Sequence, residues 1–198
     1  MGVIKTALEI ALEKTESVKS DKSTIGQFDA KRKGKKLAND FLAGDADITD
    51  GLKKTLAADK ESLKQGVFDV LITQIALPAL QETGNENKFD KVGKGLFAIL
   101  NQKNNEFSGI LKMLTQLFSQ YLQEASHYEQ AIRQQYAPKL RKKEEELSRR
   151  MGREIHIDPL QDPEFTAFYN QHMNALKSNY EGTVEQAKEK IKEIFNKG

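Results

Sequence analysis

The chain contains no cysteine and no tryptophan, and proline occurs only four times in 198 residues. Without cysteine there is no disulfide, no thiolate nucleophile and no cysteine-ligated zinc or iron–sulfur centre. Charge of one sign is not in excess either, since 31 Lys and Arg face 29 Asp and Glu. A general polyanion binder carries a larger basic surplus, so bulk charge gives nucleic acid no support. No apolar run approaches the roughly 20 residues of a membrane-spanning helix. Lys5, Glu9, Glu13 and Lys14 interrupt the apolar residues near the N-terminus, unlike the continuous apolar core of a signal peptide. These absences lead to the expectation of a cytoplasmic protein.

What is abundant is helix-forming: Gln, Glu, Lys, Ala and Leu dominate. Leu, Ile, Val and Phe supply 49 of the 198 residues, enough for a folded core. The expected fold is all-α. It is an elongated bundle of about five to six helices, with long, coiled-coil-like members and proline kinks. The expected organisation is a single domain, residues 1–198, with an N-terminal helical pair over 1–45 and a core bundle over 46–198.

Apolar spacing sets the helices. Ile4, Leu8, Ala11, Thr15 and Val18 predict a first helix over 2–19, followed by a loop over Ser20–Gly26. A second helix is expected over Phe28–Ala43. Its Ala30, Gly34 and Ala38 make a small face, and a glycine inside a helix implies a packing reason. A third is expected over Ile48–Glu82, capped by Asp47 or Thr49, with Leu56, Leu63, Val70 and Leu77 seven apart. Pro78 predicts a kink or an early stop there. Thr83–Asn87 reads as a turn and Lys88–Gln102 as a fourth helix. The fifth carries Phe107, Leu111, Leu114, Phe118, Tyr121, Ala125, Tyr128 and Ile132, the alternating spacing of a coiled-coil seam. Tyr136 and Leu140 then follow at intervals of four, a stutter beside Pro138. Asp162, Pro163 and Glu164 form a helix start, with a cap, a first-turn proline and an acidic residue. Leu71, Ile75, Leu114, Phe118 and Leu176 are expected in the core.

No catalytic or cofactor motif emerges. Glu124 and His127 have the Glu-x-x-His spacing of di-iron carboxylate bundles, but a second such pair is missing around His156 and His172. Gly93, Lys94 and Gly95 lack the longer glycine frame of a phosphate loop and read as a flexible helix entry. No metal and no cofactor is expected. Met1, Gly2 and Thr6 match the loose N-myristoylation pattern, which a helix beginning at Gly2 explains equally well.

Two basic clusters remain. One is Lys31, Arg32, Lys33, Lys35 and Lys36. The other is Lys139, Arg141, Lys142, Lys143, Arg149 and Arg150. Solvated helix faces are the plain reading, with Arg141–Glu145, Glu145–Arg149 and Glu146–Arg150 as i,i+4 ion pairs. The alternative is contact with an anionic membrane or nucleic acid, blunted by Asp29, Asp40, Asp45 and Asp47. The leading expectation is a non-enzymatic helical protein working through contacts with itself, as a homodimer, or with another helical protein.

Overall fold

A computed structural model describes the backbone of residues 7–80, 85–100 and 105–197, and the side chains of 24–80, 88–100 and 105–197. Among the described residues there are six α-helices and no strand. They are α1 (Ala7–Ala43), α2 (Ile48–Lys54), α3 (Lys60–Thr73), α4 (Asn85–Ile99), α5 (Asn105–Met151) and α6 (Pro163–Lys197). Short 3-10 turns lie at Ala57–Asp59 and Pro159–Gln161. The all-α expectation holds. The Met1–Thr6 pattern, the first-helix stripe and the end expected for the fourth helix at Gln102 lie outside the described backbone or side chains.

The chain sorts into two compact units, Met1–Ile75 with Phe89–Asn104, and Ala76–Lys88 with Asn105–Gly198. In the first unit, α1 packs along α3. The loop expected at Ser20–Gly26 is helical, so two expected helices are one. That stretch has no proline, and apart from Gly26 its residues carry only modest helix penalties, so the helix runs through it. The helix ends at Gly44, whose φ of 100° suits a residue without Cβ. Gly44 N–H and Asp45 N–H both donate to the Asp40 carbonyl, closing the end. Lys91 donates to the Leu42 carbonyl at 2.9 Å and stands over the Phe41 ring.

Asp47 caps α2 by accepting from Asp50 N–H at 3.0 Å. The long third helix expected over Ile48–Glu82 is interrupted twice. Thr55 turns to extended backbone while its hydroxyl donates to the Gly51 carbonyl, a local bond that competes with helix continuation. Leu56 is consequently exposed, and the seven-residue repeat that included it is not a packing stripe. At the other end α3 stops at Thr73, ahead of Pro78. Proline disfavours helical backbone at the residue before it and removes a donor, so the early stop has its cause. Leu71 and Ile75 are fully buried.

Gly93 and Gly95 are not a flexible entry. They lie inside α4 and are buried. A Cβ on Gly95 would sit 2.7 Å from Leu71 Cδ1 and 2.9 Å from Phe41 Cε1, so this glycine lets α4 approach the unit's core.

The second unit is built on a hairpin of α5 and α6. Pro138 lies inside α5 without ending it. The proline and Gln134, whose carbonyl loses its partner, are both exposed, so water can satisfy that group. Phe107, Leu114, Phe118, Tyr121, Ala125 and Ile132 are buried as the seam spacing predicts. Leu111 is only half-buried while Ile110 is buried, and Tyr128 is exposed. Leu176 is half-buried, against the expectation of a core position. It borders the cluster of Tyr121, Ala125, Ile132, Tyr136, Phe165 and Met173 rather than filling it.

Candidate interaction surfaces

The α5–α6 connection folds back along α5. Gly152, with φ of 65°, ends α5, and its N–H donates to the Ser148 carbonyl. Glu154–Asp158 alternates like a strand but does not pair as one. Ile155 N–H donates to Ser148 Oγ at 3.0 Å and Ile157 N–H donates to Glu144 Oε1 at 2.9 Å. Side chains of α5 thus satisfy backbone groups that a sheet would otherwise satisfy.

The α5 basic cluster divides here. Lys143 reaches across to Asp162 at 2.7 Å and Glu164 at 2.6 Å, while Lys139 pairs with Glu164 at 3.0 Å. Tyr136 hydroxyl also donates to Glu164, at 3.3 Å. Asp162, the side chain of which is 4% exposed, accepts from Glu164 N–H and Phe165 N–H and so caps α6 as predicted. Lys143, then Lys139, draws the Glu164 carboxyl down to about 2. Lys143 also holds Asp162 below the ordinary aspartate value, and both carboxylates hold Lys143 above the ordinary lysine value. These two lysines therefore belong to the hairpin's own clasp. Arg141, Lys142, Arg149 and Arg150 remain exposed. Among the described residues the three expected i,i+4 pairs with Glu145 and Glu146 do not close. Exposed pairs of this kind contribute little, so nothing forces them.

The α1 cluster also divides. Lys31 is taken by Asp69 of α3 at 2.8 Å. Burial raises the Asp69 carboxyl, but hydrogen bonds from Lys31 and Gln65 outweigh it and hold the group below its ordinary value. Arg32, Lys33, Lys35 and Lys36 are exposed, with Arg32 3.2 Å from Asp29.

A third surface is aromatic and extends from Phe168, near the α6 start, to His172 and Tyr128. His172 of α6 stands edge-on to Phe168, with ring centroids 4.4 Å apart, and edge-on to Tyr128 of α5, 6.1 Å away. Tyr128 hydroxyl lies 3.3 Å from His172 Nδ1. Tyr128 is 39% exposed, and Phe168 and His172 are half-buried. Farther along, Tyr121 and Tyr180 meet edge-on at 5.3 Å. Burial, then the Glu124 carboxylate, pushes the Tyr180 hydroxyl up to about 12. Glu124 thus faces a tyrosine, and His127 is exposed. Among the described residues no three His, Asp or Glu side chains group as a metal site would require. No described helix is long and apolar enough to cross a membrane.

Residues 49–193 match the model of a family of unknown function, DUF6657. The chain belongs to that family. The DUF6657 match takes in α3, α4 and α5 whole, with nearly all of α2 and α6. It therefore contains the hairpin clasp and the Tyr128–Phe168–His172 group. The α1 basic face lies outside it. No curated protein and no solved structure matches the chain.

Proposed function

We propose that this protein is non-enzymatic and works through protein–protein contact, first of all by self-association through the α5–α6 hairpin. The observation that carries the reading is the open aromatic flank of that hairpin. Tyr128 of α5 and Phe168 of α6 both pack on His172, with Tyr128 exposed and the other two half-buried. Aromatic side chains of this kind bring large apolar area with few rotatable bonds, which is why they anchor interfaces. Besides α5 and α6 themselves, Leu77 from the preceding segment packs against the hairpin core. Leu122, Leu140, Leu176 and Tyr180 border the core and remain half-buried. A second hairpin related by a two-fold axis would bring the same flank against itself and complete a four-helix layer.

Gel filtration of the Tyr128→Asp variant tests the assignment. A carboxylate at an exposed position leaves the hairpin folded but burdens any interface formed there with an unpaired charge. The expected result is a later-eluting, smaller species with unchanged helical circular dichroism. An unchanged elution position, with wild-type association intact, would remove Tyr128 from the interface.

A further inference from the structure

The outward face of α1 carries more than charge. Ile25 is 60% exposed and Phe28 is 71% exposed, the latter lining one shallow groove with Asp29, Lys31, Arg32 and Lys35. On a helix, positions 25, 28, 32, 35 and 36 fall on one side, and 30, 34 and 38 fall on the other. Burial agrees: Ala30, Gly34 and Ala38 are buried, whereas Ile25, Phe28, Arg32, Lys35 and Lys36 are exposed. The cations continue directly from the apolar pair along the helix. Asp29 lies 3.2 Å from Arg32 in an exposed pair, and Asp69 of α3, which holds Lys31, also acts on Lys35.

We infer that this face of α1 docks on an anionic lipid bilayer, with Ile25 and Phe28 entering the interface and Arg32, Lys35 and Lys36 on the headgroups. Charge alone argues weakly for any polyanion here, because acidic residues follow at Asp40, Asp45 and Asp47. The exposed isoleucine and phenylalanine alter that balance. An interfacial helix needs an apolar insertion beside a cationic rim, and binding strength follows the apolar area plus the attraction to acidic lipid. Duplex nucleic acid has the same phosphate chemistry but offers nothing to the aliphatic Ile25. Lys31 lines the same groove, but Asp69 of α3 holds it at 2.8 Å, so its charge is already paired.

The test is co-sedimentation of the full chain with phosphatidylserine–phosphatidylcholine vesicles and with pure phosphatidylcholine vesicles, at low and then physiological salt. Binding to the acidic vesicles alone, weakening with salt, is expected. Ile25→Asp with Phe28→Asp should weaken partition about tenfold or more. Arg32→Gln, Lys35→Gln and Lys36→Gln together should weaken it on the order of a hundredfold. All five side chains are exposed, so circular dichroism and thermal midpoint should not move, and a variant that keeps both while losing vesicles supports the proposal. No sedimentation at low salt overturns it, as does equal binding to neutral vesicles. Retention on duplex DNA that the Gln variant loses and the Asp variant keeps, without vesicle binding, assigns the face to nucleic acid and also overturns it.

Discussion

Gly34 of α1 and Gly66 of α3 face each other where the two helices meet. A Cβ on Gly34 would stand 3.1 Å from Gly66 Cα and collide with the Leu63 carbonyl oxygen. A Cβ on Gly66 would collide in turn with the Lys31 carbonyl oxygen. Backbone blocks backbone in both cases, so no rotamer change relieves the overlap. Lys31 and Asp69 then lock the same crossing from its edge.

Alanine in place of either glycine should therefore destabilise the protein, although alanine is the better helix former. Overpacking costs roughly 1–3 kcal/mol and outweighs the roughly 1 kcal/mol gained in helix propensity. Gly109 and Gly182 are the controls, because a Cβ at either meets nothing within 4 Å. Gly109→Ala and Gly182→Ala should stabilise by about 0.5–1 kcal/mol each. Urea denaturation of the four variants checks the contrast in sign.

The clasp at the α6 start predicts a pH dependence. Glu164 is held at about 2 against an ordinary 4.5, and Asp162 is also lowered. Carboxylates with depressed native values stabilise fully above their unfolded values, and the contribution disappears as pH falls through the native ones. The hairpin should thus lose stability progressively from about pH 4.5 towards pH 2. Lys143 acts in the opposite direction: its contribution persists through neutral pH and is lost only in strong alkali, above its unfolded value of 10.5. Thermal midpoints across acid pH should show a flatter slope for Glu164→Gln than for the unaltered chain.

Asp162 has two tasks that two variants separate. Asp162→Asn keeps an oxygen to accept from Glu164 N–H and Phe165 N–H but gives up the charge facing Lys143. Asp162→Ala gives up both. Loss of the cap alone costs about 0.5–2 kcal/mol, so the Ala variant should be the less stable by about that amount. Chemical denaturation at neutral pH measures the difference, and equal midpoints would mean that the cap contributes nothing.

Burial ranks the core positions. Leu71 is fully buried and Leu176 only half so. Leu71→Ala should cost roughly 2–5 kcal/mol, and Leu176→Ala clearly less, because its site is already open to solvent. Thermal denaturation of the pair checks this order, and a reversed order would misplace the core.

Much of this was legible from local chemistry. Asp47 and Asp162 announce their helices because a short acidic side chain reaches the free N–H groups of the first turn. The small face of Ala30, Gly34 and Ala38 was visible, but its partner Gly66 was not, since a lone glycine between Gln65 and Val67 has no repeat to mark it. Ser20–Gly26 looked like a loop by composition, and only the continuous hydrogen-bonded backbone shows otherwise. Leu56 fits a repeat that Thr55 breaks, because a side-chain bond to Gly51 competes with the helix. Lys143 resembled a solvated charge until the fold-back of the connection brought Asp162 to it, 19 residues later. The meeting of Tyr128 with His172 stayed hidden for the same reason: the two are 44 residues apart.

The proposed self-association of the chain is tested most directly by the mass of the unaltered protein in solution. Light scattering coupled to gel filtration, at micromolar concentration, should return a mass near twice 22.4 kDa. A single species at 22.4 kDa throughout that range would contradict the account.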